Sequence, residues 1–339
     1  MQNRITTRQP LFDGSGRLAN PGYATEPLFV YDRSQVKASI WRIKEWDYYC
    51  VINDHYGFSC VIADLGYSAM VSATFLDFQA GKSYNKTKLL WFVFGKLKLP
   101  ASSLAGDVKY QGGGFDFAFL REKDKRTINI KIADFLGKAE LDCHLEIADP
   151  HDDSMVIATP WKEHPLAFYY NQKINCMPTS GEVRIGERTY PFTKTTDFTV
   201  LDWGRGVWTY KNTWYWGSVS GLADGVRFGM NLGYGFGDTQ AATENMIFYD
   251  GKAHKLDQVM FTIQEPDFLL PWRITDNEGR LELTMVPLLD RQDTLNLGII
   301  KNLGHQVFGK MAGFFILDDG RRITFKDVIG FAEKITNHY

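Results

Sequence analysis

The chain has 339 residues, of which 44% are hydrophobic and 14% aromatic, and it contains 31 glycines. Its 38 Lys and Arg residues nearly balance 40 Asp and Glu residues. A net charge of −2, with no basic run, makes nucleic acid and an anionic membrane surface poor candidate partners. No apolar leader opens the chain and no stretch approaches 18 uncharged apolar residues, so we expect neither a secretion signal nor a membrane span.

Four cysteines are scattered through the chain without Cys-x-x-Cys spacing: Cys50, Cys60, Cys143 and Cys176. In a chain of this size they are typical of buried or free thiols in a reducing compartment, which predicts a cytoplasmic protein. There is no His-x-His, His-Glu-x-x-His or Cys/His cluster, so we expect no metal and no cofactor.

Alternating apolar and polar residues between Gly, Asp and Asn turns predict strands in nearly every part of the chain. In the first half these are Val30–Trp41, Tyr48–Val51, Phe58–Leu65, Met70–Asp77, Lys88–Phe94, Phe115–Leu120, Thr127–Ile132, Ala139–Ile147 and Phe168–Lys173. The pattern continues from Gly181–Ile185 to Ile323–Glu333, with two or three helical turns predicted around Leu295–Leu303. Because nothing predicts a βαβ unit, the expected fold class is all-β.

A weak internal repeat indicates that the two halves of the chain are alike. Trp46–Tyr67 resembles Thr213–Tyr234, and at one common offset Tyr48 falls on Tyr215. A second pair of segments, FLDFQAGK and IFYDGK, is also similar, and it aligns Gly81 with Gly251 at nearly the same offset. Similarity by chance between aromatic hairpins is the alternative.

An offset close to half the chain predicts two similar β-domains in tandem, which also suits the length. We expect an N-terminal domain over residues 1–165 and a C-terminal domain over residues 166–339. Their junction is predicted in Asp149–Leu166, where charged, proline and turn residues cluster.

The best-defined hairpin is predicted at Asp224-Gly225, a pair that suits a two-residue turn with positive φ. Pairing the flanking strands across this turn gives one apolar face, which we expect in the core: Tyr215, Val219, Met230, Phe228, Leu232 and Tyr234. The other face sets Trp214 and Trp216 opposite glycines and pairs Ser218 with Asn231. This second face suits either a pocket wall or an outer sheet face that the neighbouring domain covers.

An acid and a base stand three residues apart in the segment DWGRG, namely Asp202 and Arg205. One interpretation is a buried ion pair that fixes a loop. The other is a catalytic site in which Asp202 is the acid or base and Arg205 binds an oxygen of the ligand. Five nearby rings are candidates for the wall of an aromatic pocket: Trp203, Trp208, Tyr210, Trp214 and Trp216.

A glycine-rich stretch after the hairpin carries a second polar cluster, consisting of Asp238, Glu244 and Asn245. Glu244 is the alternative catalytic acid or base, and all three are candidate pocket groups, although Asp and Asn more commonly form turns. His305 opens a strongly alternating strand and is a further candidate, with a structural role as the alternative. Glu333 suits either a surface charge or a group that closes the site.

Several stretches resemble the bacterial family catalogued as domain of unknown function 2804. They span the chain from Phe12 to Glu333 and include DGSGRLANPGYATEPL, IKEWDYYCV, IADLGYSAMVSATFLD, LDWGRGVW, NLGYGFGDTQAATEN, FYDGK, PWRITD, HQVFGKMAG and GFAE. More remotely, Asp202 and the following hairpin are similar to the lipocalin-like carotenoid 1,2-hydratase and AttH superfamily. That resemblance implies two consecutive lipocalin-like, calycin-type antiparallel β-barrels or strongly bent sheets, with few short helices. It also implies chemistry on hydrophobic molecules, although Gly204-Arg205 replaces the acidic residue that usually follows the Asp.

The sequence leaves three functions open. The first is an enzyme that acts on a hydrophobic, isoprenoid- or polyketide-like molecule by cofactor-free hydration, isomerisation or cyclisation. In that case Asn231 helps Arg205 to position an oxygen of the substrate. The second is a non-catalytic carrier of a lipid or isoprenoid. The third is a carbohydrate-active protein that uses its tryptophans as a platform.

Overall fold

The protein is an all-β molecule in the computed structural model, which describes residues 2–296 and 301–338. Its strands are β1 (Gln9–Pro10), β2 (Gly22–Ala24), β3 (Phe29–Val30), β4 (Ile43–Ile52), β5 (Tyr56–Asp64), β6 (Ser68–Asp77), β7 (Lys82–Trp91), β8 (Val108–Gly112), β9 (Phe115–Arg121), β10 (Lys125–Leu136), β11 (Ala139–Ala148), β12 (Met155–Trp161), β13 (His164–Ile185), β14 (Arg188–Phe192), β15 (Phe198–Val207), β16 (Lys211–Ala223), β17 (Val226–Tyr234), β18 (Met246–Tyr249), β19 (Lys252–Lys255), β20 (Val259–Thr262), β21 (Trp272–Asp276), β22 (Leu281–Asn296), β23 (Lys301–Ile316) and β24 (Arg322–His338). One 3-10 turn covers Arg33–Gln35. None of the described helices is long and apolar enough to cross a membrane.

Two local predictions are wrong. The stretch predicted as a strand at Val30–Trp41 contains the 3-10 turn, because the Asp32 side chain caps it by accepting a hydrogen bond from the Ser34 amide at 2.9 Å. The helical turns predicted at Leu295–Leu303 are strand wherever this stretch is described, since β22 ends at Asn296 and β23 begins at Lys301. The rest of that prediction lies outside the described residues.

Two large antiparallel sheets make up most of the described structure. The first runs β7-β6-β5-β4-β15-β13-β11-β10-β9-β8, with β2, β12 and β14 attached at its side, and the second runs β19-β18-β17-β16-β24-β23-β22-β21-β20. In each sheet a four-stranded meander lies beside the last strand of that half, so β4 pairs with β15 as β16 pairs with β24. The two halves therefore share one topology, as the internal repeat predicted.

The hairpin register is confirmed and the register of the repeat is corrected. Asp224 and Gly225 both have positive φ, and Tyr215 pairs with Tyr234 as predicted. The offset that placed Tyr48 on Tyr215 is wrong by one residue, because Tyr48 faces the second sheet whereas Tyr215 packs on the core of the C-terminal half. A shift of one residue along a strand moves a side chain to the other face of the sheet.

The boundary between the two halves can be placed from which strands belong to each sheet. Strands β12 and β13 lie on either side of residue 165 and pair with each other, and β15 continues the same sheet to Val207. The second sheet begins at Lys211 with β16. We propose that the boundary between the two halves lies at residues 208–210 rather than at 165.

Each sheet curls around its own apolar core, and a third apolar cluster joins the two halves. This junction cluster contains Cys50, Leu76, Phe78, Val200, Leu289, Phe308, Ile329 and Phe331. All four cysteines are buried and free, and burial raises the pKa of the Cys50 and Cys176 thiols to about 12. They are therefore poor nucleophiles at neutral pH.

Candidate functional site between the two sheets

A cavity of about 450 Å³ lies between the two sheets, above the junction cluster. Its first wall comes from β4–β7, β13 and β15, and its second wall from β16 and β22–β24. This volume is within the usual range for sites that hold a small organic molecule. Because both walls are needed to enclose it, the cavity belongs to neither half alone.

The register of the strands places the polar groups in rows across each wall. In the first wall Tyr48, Asp202 and Lys173 are successive partners on β4, β15 and β13. In the second wall Trp216, Glu333, Gln306 and Arg291 are successive partners on β16, β24, β23 and β22. Both rows lie directly next to the junction cluster, so they form the closed end of the cavity.

Asp202 and Glu244 share one ammonium group at this closed end. Lys173 Nζ is 3.2 Å from Glu244 Oε2 and 3.9 Å from Asp202 Oδ2, and it lies 3.8 Å above the ring of Trp216. Asp202 Oδ1 also accepts hydrogen bonds from Asn171 Nδ2 at 2.6 Å and Trp46 Nε1 at 3.1 Å. All these groups are at least half-buried, so the ion pairs and the cation–π contact act where solvent screens them weakly.

Glu333 reaches the same space from the second wall. Its Oε1 accepts a hydrogen bond from Trp214 Nε1 at 2.9 Å, and its Oε2 accepts one from Gln306 Nε2 at 3.1 Å. Gln306 is held in turn by Arg291, whose NH1 donates to Gln306 Oε1 at 3.2 Å. Burial raises the pKa of Glu333 to about 7, against the opposing effects of the Trp214 hydrogen bond and Lys173, and the Asp202 charge raises it further.

Tyr169 also lines the cavity, and the charges of the three carboxyl groups act on its phenol. Burial, then the charges of Glu244, Asp202 and Glu333, hold the pKa of Tyr169 well above its usual value, so this phenol stays protonated. A protonated phenol can donate a hydrogen bond but cannot act as a base near neutral pH. The cavity therefore combines one ammonium group, one phenol and three carboxyl groups, of which Glu333 titrates near neutrality.

Aromatic rings enclose the space around this polar group. Trp208 meets Trp46, Trp214 and Phe236 edge-on, with ring centroids 5.0 to 5.8 Å apart. The two glycines of the DWGRG segment make room for them. A side chain at Gly204 would overlap the Trp46 ring, and one at Gly206 would meet Trp208. The glycines thus allow rings to lie flat against β15.

The Gly204→Ala variant should be less stable than the native protein by roughly 1–3 kcal/mol, since overpacking forces a neighbour to move. A methyl group there would lie 2.0 Å from a Trp46 ring carbon, and moving Trp46 also breaks its hydrogen bond to Asp202. Urea unfolding measures the loss. Gly14→Ala, with no atom within 4 Å of the new methyl, is the control. Equal stability of both variants would show that the Trp46 ring is free to move.

The family described as Domain of unknown function (DUF2804) matches residues 2–339. The chain belongs to this family. Among curated protein sequences, none matches this DUF2804 chain significantly.

The solved structures show the fold of this DUF2804 chain. The candidate AttH protein NE1406 from Nitrosomonas europaea is 15% identical to it, with a TM-score of 0.52 over 90% of this chain and 95% of that chain. Two others also align: kievitone hydratase from Nectria haematococca (10% identity, TM-score 0.49, 87% and 88% coverage) and CghA with Sch210972 (10% identity, TM-score 0.47, 89% and 89% coverage). The likeness to NE1406 confirms the predicted lipocalin-like fold of the AttH type.

Five of the residues that the sequence singled out line the cavity: Asp202, Glu244, Trp208, Trp214 and Trp216. Of two more, Asn231 holds Glu244 from behind and Asn245 ties the neighbouring backbone to β17. Asn231 donates to Glu244 Oε2 at 3.2 Å and accepts from Trp216 Nε1 at 2.7 Å, and Asn245 accepts from the Gly233 amide at 2.7 Å. Ser218 is buried at the junction, where it accepts a hydrogen bond from Asn175. The Trp/Gly face of the hairpin is thus cavity wall at one end and inter-sheet packing at the other.

Arg205 does not reach this cavity, which corrects the predicted pairing with Asp202. Residues three apart on a strand point to opposite faces, and Arg205 points into the N-terminal core with 0% exposure. There it binds Asp47 at 3.0 Å and stacks on Trp203, with 4.1 Å from the guanidinium carbon to the ring centroid. Both residues are therefore structural, and neither the predicted catalytic role of Arg205 nor the pocket role of Trp203 fits their position.

Three other candidates also lie outside the cavity. His305 stacks on Phe268 at 3.7 Å and binds Asp290 at 2.8 Å. Asp238 lies 3.7 Å from Lys162, and Tyr210 is 48% exposed beside His338. In the described ranges, no group of three or more His, Cys, Asp or Glu side chains is arranged to hold a metal ion, and a site without metal or cofactor stays a prediction.

Sequence reasoning missed Lys173 altogether and left Glu333 open. Both sit on long strands, β13 and β24, and neither lies in a recognised catalytic motif. The available signal was a charged residue within a strand of otherwise buried residues, as in Gly330–Glu333 and Asn171–Ile174. A buried charge needs a partner or a function.

Proposed function

We propose that this protein is a cofactor-free acid–base enzyme that acts on a hydrophobic small molecule inside the inter-sheet cavity. The observation that carries the proposal is the placement of Glu333 and Asp202 on opposite walls of one cavity lined by aromatic rings. Glu333 has a pKa of about 7, so it can carry a proton near neutral pH. A group whose pKa lies near the working pH is the most effective general acid.

The surroundings support separate roles for the two carboxyl groups. Glu333 would donate its proton to a carbon atom of a substrate double bond. The rings of Trp46, Trp208 and Trp214 would stabilise the resulting cation. Asp202, held by Asn171 and Trp46, would then accept a proton from the cation or from an attacking water. Proton loss from this cation gives isomerisation, and water attack followed by proton loss gives hydration. Cyclisation requires a second double bond of the substrate to attack the cation, forming the ring bond, before Asp202 takes the proton.

The polar closed end favours this function over the two alternatives. A carrier needs an apolar interior, whereas three carboxyl groups and Lys173 are buried here at a desolvation cost that ligand binding alone does not explain. A sugar platform needs an open, shallow surface, whereas these rings surround a cavity that the junction cluster closes. The carrier is the second candidate, since the aromatic walls alone would serve it.

Incubation in D₂O tests the proposal directly. The native protein is mixed with a panel of isoprenoid alkenes and polyketide-like enones, returned to H₂O, and analysed by mass spectrometry for carbon-bound deuterium. We expect label in at least one compound, and Asp202→Asn should reduce the labelling rate at least about 100-fold. Asp238→Asn, which changes a carboxyl group outside the cavity, should leave it unchanged. Retention of a panel compound without label in native mass spectrometry would indicate the carrier instead.

A further inference from the structure

A group of apolar side chains is exposed at one end of the N-terminal meander. Ile40, Trp41, Leu89, Trp91 and Phe92, here called the aromatic rim, are 52%, 51%, 48%, 55% and 60% exposed. Soluble proteins seldom expose several large apolar side chains side by side unless that surface binds something. The cluster of three exposed tryptophan and phenylalanine rings therefore indicates a binding surface.

The chain holds the rim in place with specific contacts. The Phe92 amide donates to the Tyr67 carbonyl at 2.6 Å, and the Phe94 amide donates to the Gly66 carbonyl at 2.9 Å. Trp41 packs edge-on against Phe94, with centroids 4.8 Å apart. Phe92 has a φ of 58°, a left-handed conformation that is unfavourable for a bulky side chain. The Phe92 backbone thus adopts an unfavourable conformation in a position where its ring is exposed.

The charged residues in the chain segment that contains Leu89, Trp91 and Phe92 have one sign. From Phe78 to Gly106 the chain contains five lysines and neither Asp nor Glu, although the whole protein carries a net charge of −2. Lys96 and Lys98 are exposed in the turn that follows the rim, and Lys96 Nζ lies 3.4 Å from the Phe92 carbonyl. Lys37, four residues before Trp41, is exposed as well. Exposed lysines beside tryptophan and phenylalanine match a bilayer surface, where rings enter the headgroup region and ammonium groups meet anionic lipids.

The rim is continuous with the mouth of the cavity. Leu89 and Trp91 belong to the rim and also line the cavity, together with Leu65 and Tyr67 from the loop that anchors Phe92. In the first wall Ser68 pairs with Trp91 in the row farthest from the junction cluster. This row lies four residues, or roughly 13 Å along the strands, from the row that contains Tyr48 and Asp202.

We infer that the aromatic rim docks this protein on a bilayer containing anionic lipids and places the cavity mouth at the membrane surface. A hydrophobic molecule dissolved in the bilayer would then enter between the rim and the second wall without crossing water. This account of entry rests on the proposed function, but the docking itself does not. It revises the expectation, drawn from the overall charge, that an anionic membrane is a poor partner.

Vesicle flotation without any substrate tests the docking. The native protein should float with vesicles of phosphatidylcholine mixed with phosphatidylglycerol, and much less with phosphatidylcholine alone. Phe92→Gly removes a ring while glycine suits the positive φ, so it should fold normally and bind about tenfold more weakly. K96E/K98E should weaken binding to the anionic vesicles by about tenfold or more. Met260→Ser, at an apolar side chain 65% exposed in β20, is the matched control and should have no effect.

Three results would overturn the inference: equal flotation with both vesicle types, no loss of binding in Phe92→Gly, or a loss of the same size in Met260→Ser. Concentration-dependent dimers in sedimentation, abolished by Phe92→Gly and without flotation, would assign the rim to a second copy of the chain. If no compound is labelled in D₂O but flotation depends on the rim, the proposed function is wrong and the membrane docking is supported. If dispersed substrate is labelled but the protein does not float with vesicles, the proposed function is supported and the membrane docking is wrong.

Discussion

The Glu333→Gln variant is expected to lose proton transfer to carbon by at least about 100-fold while it still binds ligand in the cavity. Glutamine keeps the size of the side chain, and its one carbonyl oxygen can still accept the hydrogen bond from Trp214. Its NH2 group cannot accept the hydrogen bond from Gln306, and it has no acidic proton to give. D₂O labelling measures the chemical step, and ligand retention in native mass spectrometry measures binding. Glu282→Gln, at a carboxyl group 48% exposed in the same sheet, is the control and should label normally.

The same variant also tests the titration of Glu333 through stability. The pKa of Glu333 is 4.5 when the group is unperturbed, as in the unfolded chain, and about 7 in the folded protein. At a pH between these two values, Glu333 of the folded protein holds a proton that the unfolded chain has released. Stability therefore falls as the pH rises through this interval, by roughly 3 kcal/mol in total from this one group. Urea unfolding near the two ends of the interval should show this fall in the native protein and a smaller one in Glu333→Gln.

Catalysis should follow the same titration. Because Glu333 acts in its protonated form, the labelling rate of the native protein should decrease as the pH rises through about 7. A rate that increases over this range would assign Glu333 to the role of base. A Glu333→Gln variant with native activity would remove Glu333 from the mechanism altogether.

The Lys173→Met variant is expected to be less stable than the native protein by about 3–5 kcal/mol, the usual cost of removing one partner from a buried ion pair. Methionine fills a similar volume, so little of this loss comes from packing. The variant leaves Asp202 and Glu244 without the ammonium group they share, although their side chains are only 13% and 9% exposed. The free energy of unfolding in urea is the measurement.

Lys162→Met supplies the comparison for this prediction. Lys162 is 58% exposed and lies 3.7 Å from Asp238, so its loss should cost less than about 1 kcal/mol. Adding Glu244→Gln to Lys173→Met should recover part of the stability, because it removes one of the two uncompensated carboxyl groups. If Lys173→Met and Lys162→Met lose similar amounts, the buried cluster does not depend on its cation.

Local sequence signals predicted the parts of the structure that depend on neighbouring residues. Asp224-Gly225 defined its hairpin register because a two-residue turn leaves one way to pair the flanking strands. The same register assigned Trp214 and Trp216 to the face that became cavity wall. The half-chain repeat predicted two halves of like topology, although its alignment was one residue out of register.

Pairings between distant strands escaped prediction, and the site depends on them. Asp202 and Arg205 looked like a pair because they are close in sequence, yet a strand separates them onto opposite faces. Lys173 meets Asp202 only because β13 pairs with β15, and Glu333 meets Trp214 only because β24 returns beside β16. Nothing local to Lys173 or Glu333 specifies those neighbours. The proposed boundary at 208–210 escaped for the same reason, since β13 and β15 join the first sheet through long-range pairing.

Asp202 and Glu333 occupy equivalent places in the two halves, each on the last strand of its half and beside the first strand of the four-stranded meander. Two identical subunits placed face to face in this way would give both acids identical surroundings and hence one shared titration. Covalent linkage of the halves removes that restriction. Asp202 has an ammonium neighbour, Lys173, in addition to two neutral hydrogen-bond donors. Glu333 accepts hydrogen bonds from two neutral donors, and burial weakens its acidity. In the proposed mechanism, the tandem arrangement thus lets two equivalent positions take different roles, one as proton donor and the other as proton acceptor.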